Sequence, residues 1–221
     1  CSIALGLGQL AQDHQLNALA CHEFDRDIPH SIKIVPNMFP EEVSGKGIVV
    51  VPEGDVGFAG FMLGMRVLTR GSVVSFVEPH YLDVKRNQVL LCHGGPNDFA
   101  WAPKGSFLRI APDFRNSQEI KAAPGAPLAW VRIPPGPKTI VHFGPTSPGY
   151  KMISFTAKAL AGPHAIQGYT HTVIQPDVPV TQIFETIVSL GSSQHFAVIE
   201  GDVRESLDAF AHVMGFDHIS M

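Results

Sequence analysis

The pattern of apolar positions along the chain changes character near residue 69. Before that point, helical and strand patterns alternate. Apolar residues at helical spacing predict a helix over residues 3–14, and a run of β-branched residues predicts a buried strand over 47–51. A second helix is predicted over 56–68, with Asp55 as its N-cap. A strand, a tight turn and a helix in this order are typical of an α/β layer.

Short strand patterns follow one another after residue 69, and most are separated by Gly, Pro or Asn. The predicted strands are residues 73–77, 81–84, 89–92, 106–110, 128–133, 139–143, 151–156 and 171–174. This spacing favours an antiparallel barrel or sandwich. Near the end of the chain, helices are predicted over 179–190 and 205–214, with a strand over 195–199 between them. We therefore predict two domains, residues 1–68 and 69–221.

The composition narrows the class of protein. Apolar residues make up 45% of the 221 positions and charged residues 16%, which indicates a globular chain rather than a disordered one. The formal net charge is −4 and no basic run exceeds two residues, so we expect no nucleic-acid partner. The apolar stretches are too short and too interrupted to predict a membrane span. Three cysteines without a CxxC pair favour a reducing cytoplasm. The chain begins partway into a helical pattern, as a piece of a longer protein would.

Acidic and imidazole side chains stand at the ends of several predicted strands. Glu53 follows strand 47–51, Glu78 follows 73–77, His93 follows 89–92, and His171 opens 171–174. Rigid strand ends are common places to present ligands and catalytic groups. Two carboxylates and two imidazoles suit a divalent ion such as Mn²⁺, Fe²⁺, Co²⁺ or Zn²⁺.

The same residues also admit structural interpretations. Glu53 has the position of a solvated acid that favours a helix dipole, and Glu78 precedes a proline that could end an edge strand. His171 fits equally well as a hydrogen-bonded strand histidine, and Cys92 as an inert, buried thiol. Five further histidines have no supporting pattern and are interpreted as structural or surface residues: His80, His142, His164, His195 and His212.

Four motifs resemble the middle and C-terminal parts of bacterial L-arabinose isomerases and the related L-fucose isomerases. Residues 53–56 read EGDV, residues 75–83 SFVEPHYLD, and residues 85–97 KRNQVLLCHGGPN. They are similar to the family's GEGDW/V, FTEM and VLL–HMGEGN segments, and GYTHTV at 168–173 is similar to its GGAHHTV segment. The order and the spacings (78 − 53 = 25, 93 − 78 = 15, 171 − 93 = 78) also agree.

This resemblance implies a fold and a set of roles. The fold is α+β: residues 1–68 would end a Rossmann-like α/β domain, and residues 69–221 would form an antiparallel Greek-key β-barrel with flanking helices. Glu53 and Glu78 would bind a metal and act as acid and base, while His93 and His171 would be further ligands. The metal would be Mn²⁺, with Co²⁺ or Mg²⁺ as alternatives.

The implied activity is the isomerisation of a small sugar, a pentose or deoxyhexose, through a metal-stabilised enediolate. The full-length protein would be a cytoplasmic homo-oligomer. Two alternatives come from other classes of protein. One is a non-catalytic carbohydrate- or metal-binding module of the same fold, and the other is a structural domain whose four candidate residues are scattered.

Overall fold

The computed structural model describes residues 2–22, 47–94, 97, 99–101, 108–112 and 127–221. The chain divides into two compact units, each built from separate stretches of sequence. The first comprises Cys1–Leu63, Gly94–Arg132 and Ile166–Thr170, and the second Gly64–His93, Ile133–Ala165 and His171–Met221. The domain boundary that the sequence predicts at residue 69 stays a prediction. None of the helices in the described stretches is both long and apolar enough to cross a lipid bilayer.

The first unit begins with helix α1 (Ser2–Asp13), followed by strands β1 (Ala18–Ala20) and β2 (Val49–Val51), which pair in parallel. Helix α2 (Val56–Leu68) then starts as the apolar pattern predicts, and its residues up to Leu63 belong to this unit. A 3₁₀ turn and the antiparallel pair of β5 (Leu108–Pro112) and β6 (Pro127–Val131) complete its described elements. The pair β1–β2 is too small to define a Rossmann-like sheet, and that part of the fold stays a prediction.

The second unit contains a closed β-barrel. Its strands are β3 (Val74–Asp83), β4 (Gln88–His93), β7 (Gly136–Pro145), β8 (Tyr150–Ala159), β9 (Thr170–Pro176) and β10 (Phe196–Glu200). They lie in the order β8-β7-β10-β3-β4-β9, and β9 pairs again with β8 to close the ring. The segment β10-β7-β8-β9 has the strand order of a Greek key. The predicted barrel and the α+β class are therefore confirmed.

Helices and one further strand flank the barrel. Helix α3 (Val180–Ser189) buries Val180, Ile183 and Ile187, the spacing of one apolar helix face. Helix α4 (Arg204–Met214) leads to β11 (Asp217–Ser220), which pairs in parallel with β8 and which the sequence pattern did not predict. Seven consecutive residues of β7 are buried, as expected for a strand that is covered on both faces.

Strand β3 corrects one sequence-based expectation. The sequence predicts two strands separated at Pro79, yet the structure has one ten-residue strand through that position. A bulge between Pro79 and Tyr81 explains the continuity, because a bulge can accommodate the missing N–H of proline and leaves His80 outside the pairing register. Glu78 consequently lies inside β3, opposite Cys92 of β4, and does not end a strand.

Candidate metal centre

One carboxylate of the second unit is surrounded by imidazole nitrogens. The Glu78 Oε1 atom lies 3.5 Å from His195 Nε2, and the Oε2 atom lies 3.8 Å from His93 Nε2. His80 Nε2 is also 3.8 Å from Oε2. All four residues belong to the same compact unit. The cluster of Glu78, His80, His93 and His195 is called the Glu78 cluster below.

Three neighbouring strands bring these side chains together. Glu78 and His80 lie on β3, on either side of Pro79, and His93 is the last residue of β4. His195 immediately precedes β10, whose first residue pairs with Val77 of β3. The two strands that flank β3 thus carry one histidine each to the level of Glu78.

The Phe76 ring supports both buried imidazoles. Its centroid lies 4.7 Å from that of His93 in an edge-to-face contact and 4.5 Å from that of His195. Such contacts restrict ring rotation and contribute about 0.5–1.5 kcal/mol beyond area burial. The two imidazoles are therefore held by packing as well as by the neighbouring carboxylate.

Burial differs across the Glu78 cluster. His93 and His195 are 5% and 7% exposed, whereas the side chain of Glu78 is 17% exposed and that of His80 is 37% exposed. Burial, followed by the negative charge of Glu78, raises the pKa of the Cys92 thiol to about 12. The centre therefore has a buried wall with two imidazoles and a carboxylate that reaches toward solvent beside His80.

The chemistry of these donors fits a divalent first-row metal. Separations of 3.5–3.8 Å between Glu78 and the imidazole nitrogens are longer than direct N–H···O hydrogen bonds. Ligand atoms about 2.1 Å from a tetrahedral metal lie roughly 3.4 Å from one another. A mixed set of carboxylate and imidazole suits Mn²⁺, Fe²⁺, Co²⁺ or Zn²⁺ better than Ca²⁺, which prefers oxygen ligands.

Glu53 lies in the turn between β2 and α2, in the first unit. It is partly buried and has a φ of +62°, a left-handed conformation that is uncommon for a residue other than glycine. The next residue, Gly54, donates its N–H to the Cys21 carbonyl at 2.9 Å, which fixes the turn. The role of Glu53 as a ligand and proton-transfer group stays a prediction.

His171 lies on β9 and is fully buried. Its Nε2 atom accepts a hydrogen bond from the Ala165 N–H at 3.1 Å, and its ring packs against His164 with centroids 5.3 Å apart. An amide N–H can only donate, so Nε2 uses its lone pair in this bond. A metal could bind Nε2 only if that bond were broken, and the assignment of His171 as a ligand stays a prediction.

His195 and His80 are the members of the Glu78 cluster that sequence reasoning interpreted as structural or surface residues. A usable signal existed for His195, because it opens the predicted strand over 195–199 just as His171 opens 171–174. His80 carries no comparable signal, since its position depends on the bulge after Pro79.

Comparisons with models of known protein families and with curated protein sequences find no match to this chain. The functional assignment therefore rests on the geometry of the Glu78 cluster and on the sequence motifs around it.

Proposed function

We propose that the chain is the barrel-bearing portion of a divalent-metal-dependent aldose–ketose isomerase of the L-arabinose and L-fucose class. One observation carries the proposal: the Glu78 carboxylate lies 3.5–3.8 Å from the Nε2 atoms of two buried histidines, His93 at the end of β4 and His195 just before β10. Motifs that resemble this isomerase family surround two of these residues. The same proposal includes residues 1–68 as the C-terminal part of a Rossmann-like domain.

The proposed ligands are Glu78, His93 and His195, and the sequence motifs add Glu53 and His171. The resemblance to the isomerase family favours Mn²⁺, with Co²⁺ or Mg²⁺ as alternatives, and the donors themselves suit a divalent first-row metal. When bound, such an ion would neutralise the negative charge that develops on two adjacent sugar oxygens during isomerisation.

The remaining chemistry belongs to the protein's own side chains. Isomerisation moves a proton between C1 and C2 of the sugar, which requires a carboxylate beside those carbons and a second group for the hydroxyl protons. We assign these roles to Glu78 and Glu53. His80 is exposed and its Nε2 atom lies 3.8 Å from Glu78 Oε2, which places an imidazole between that carboxylate and solvent.

A second candidate function is a metal-binding module without catalysis. Glu78, His93 and His195 all lie in the second unit, so metal binding by these three residues needs nothing from the first. This candidate predicts metal binding without conversion of any aldose to a ketose.

Mn²⁺ calorimetry on the metal-free chain tests the proposal. We expect one tight site in the parent and at least a hundredfold weaker binding in Glu78→Gln and His195→Ala. Removal of one ligand in a polydentate site has a larger effect than the 10–100-fold that is typical of outer-shell changes. His212→Ala is the matched control, because His212 is exposed on α4, and its affinity should equal that of the parent.

Parallel Glu53→Gln and His171→Ala variants decide whether the residues from the motifs belong to the same site. Conversion of L-arabinose and L-fucose to their ketoses then separates the isomerase from the binding module. No Mn²⁺ binding in the parent, or parent-like binding in both Glu78→Gln and His195→Ala, would refute the proposed centre.

A further inference from the structure

We propose that His142 is a positioning residue that fixes the backbone of His195 and thereby the place of its imidazole beside Glu78. This inference rests on the proposed function, because it gives His142 a purpose only if His195 is a ligand. His142 lies on β7, 53 residues before His195 in the sequence, and the two meet because β7 pairs with β10.

His142 is 1% exposed and both of its ring nitrogens are engaged. Nδ1 lies 2.7 Å from the carbonyl oxygen of His195, and Nε2 lies 2.7 Å from Ser192 Oγ. The ring also packs against Phe196, with centroids 5.2 Å apart. One side chain thus holds both ends of the segment that leads into β10.

The two hydrogen bonds determine the tautomer of His142. A carbonyl oxygen can only accept, so Nδ1 must carry a proton and donate it to His195. In the neutral ring, Nε2 then accepts from the Ser192 hydroxyl. Both nitrogens are satisfied in a buried position, which fixes the orientation of the ring.

The packing around Gly144 gives independent support. A Cβ atom at residue 144 would lie 2.3 Å from Ser192 Oγ and 3.1 Å from His142 Nε2. The first distance is impossible for real atoms, so any side chain at 144 would displace the Ser192 hydroxyl. The absence of a side chain at this position therefore preserves the hydrogen bond between Ser192 and His142.

The consequence for the metal centre is geometric. Pairing of β10 with its neighbours begins at Phe196, so His195 lies outside the pairing of the strand. The bond from His142 to the His195 carbonyl restrains this last residue before the strand. The imidazole of His195 then points to Glu78 at 3.5 Å and packs on Phe76. Outer partners that orient a ligand typically change metal affinity by about 10–100-fold when they are removed.

Two polar variants at residue 142 separate the two hydrogen bonds. In His142→Asn the side-chain amide nitrogen takes the place of Nδ1 and keeps a donor for the His195 carbonyl. In His142→Gln the amide reaches the place of Nε2, keeps a partner for Ser192, and leaves the carbonyl without a donor. His218→Asn is the control, because His218 is another buried imidazole with two hydrogen bonds, to Ser154 and Asp208, remote from His195 in sequence.

The experiment has two readouts. Mn²⁺ calorimetry on the metal-free chain should show about 10–100-fold weaker binding in His142→Gln, and binding within about threefold of the parent in His142→Asn and His218→Asn. In the absence of metal, the NMR cross-peaks between the rings of His195 and Phe76 should weaken only in His142→Gln. Thermal unfolding checks that each variant folds. If His142→Gln does not fold, Gly144→Ala replaces it, because it displaces Ser192 and through it the ring.

The outcomes distinguish this inference from the proposed function. Parent-like affinity and parent-like cross-peaks in His142→Gln would overturn the positioning role. If the parent itself binds no Mn²⁺, the proposed function fails, and the cross-peaks between His195 and Phe76 still decide whether His142 positions His195. Equal losses in His142→Asn and His142→Gln would assign the effect to general packing and would also overturn the inference.

Discussion

At the residue scale, the Cys92 thiol illustrates how burial controls the chemistry of a single side chain. Cys92 is fully buried on β4, and its pKa is raised to about 12, first by burial and then by the charge of Glu78. At neutral pH the group is a neutral thiol, which is neither a nucleophile nor a ready metal ligand. Cys92 therefore acts as a small apolar residue beside the Glu78 cluster.

The raised pKa of Cys92 predicts a loss of stability at alkaline pH. The unfolded chain releases the thiol proton near pH 9, whereas the folded chain keeps it up to about pH 12. The stabilisation is therefore complete below pH 9 and declines as the pH rises toward 12. Urea unfolding of the chelator-treated parent should show a larger decrease in the free energy of unfolding between pH 8 and pH 10 than urea unfolding of Cys92→Ala. An identical pH dependence in the two proteins would contradict this expectation.

The candidate site shows which of its residues can be identified from the sequence alone. Glu78 and His93 could be found from the sequence because each follows an apolar run and falls within a motif. His195 lies in none of the motifs and is one of eleven histidines in this chain. Its proximity to Glu78 arises from the pairing of β10 with β3, which joins residues more than a hundred positions apart. Local patterns contain no information on such pairings.

At the element scale, the start of α2 depends on a single cap. The Asp55 carboxylate accepts the N–H of Phe58 at 2.8 Å, which satisfies one of the free amides in the first turn. The predicted helix over 56–68 and the observed α2 have identical bounds. The boundary could be predicted because cap, apolar spacing and preceding turn all agree.

Replacement of this cap should weaken the protein by a measurable amount. We expect Asp55→Ala to lower the free energy of unfolding by about 1 kcal/mol, within the range of roughly 0.5–2 kcal/mol for lost N-caps. Asp55→Asn retains an acceptor oxygen and should lose much less. Urea unfolding of both variants measures the difference, and equal losses would show that the hydrogen bond to Phe58 is not the cause.

Strand β3 shows where element prediction fails and why. Proline usually interrupts a strand because it lacks an N–H, so the sequence predicted an end near Pro79. The bulge that accommodates Pro79 depends on the pairing of β3 with β4, a tertiary feature. The same bulge sets His80 beside Glu78, so the error in the strand and the missed residue have one physical cause.

At the scale of the whole barrel, Asn87 joins distant segments. Its amide nitrogen donates to the carbonyl oxygens of Pro176 at 3.0 Å and Val178 at 3.1 Å, and its side-chain oxygen accepts the N–H of Val180 at 2.8 Å. The residue lies in the turn between β3 and β4 with a φ of +53°. It thus fastens this turn to the connection between β9 and α3.

Loss of the Asn87 side chain should strongly destabilise the barrel, although Asn87 is only a partly buried turn residue. We expect Asn87→Ala to cost about 2–4 kcal/mol, since three neutral hydrogen bonds contribute roughly 1 kcal/mol each and alanine disfavours a positive φ. Asn87→Gly removes the same bonds without the backbone strain and should cost somewhat less. Denaturant unfolding distinguishes the two contributions. A loss below about 1 kcal/mol in both variants would refute the role of these bonds.

The barrel as a class was predictable because many short strands with turn residues between them favour antiparallel closure. The order of the strands was not predictable from pattern alone. The order depends on which strand edges meet. Strand β11 was also missed, because its four residues, Asp217–Ser220, have no apolar alternation. Its attachment comes from parallel pairing with β8 and from the hydrogen bonds of His218 to Ser154 and Asp208.

The position of β10 between β3 and β7 has a consequence for synthesis of the chain. The other five barrel strands precede β10 in the sequence and can form an open sheet in which β3 and β7 are the two free edges. Free sheet edges invite pairing with other chains. Because β10 ends at Glu200, the barrel can close only after about 200 residues have emerged from the ribosome. Since His195 immediately precedes β10, insertion of β10 covers both free edges and also brings His195 to Glu78.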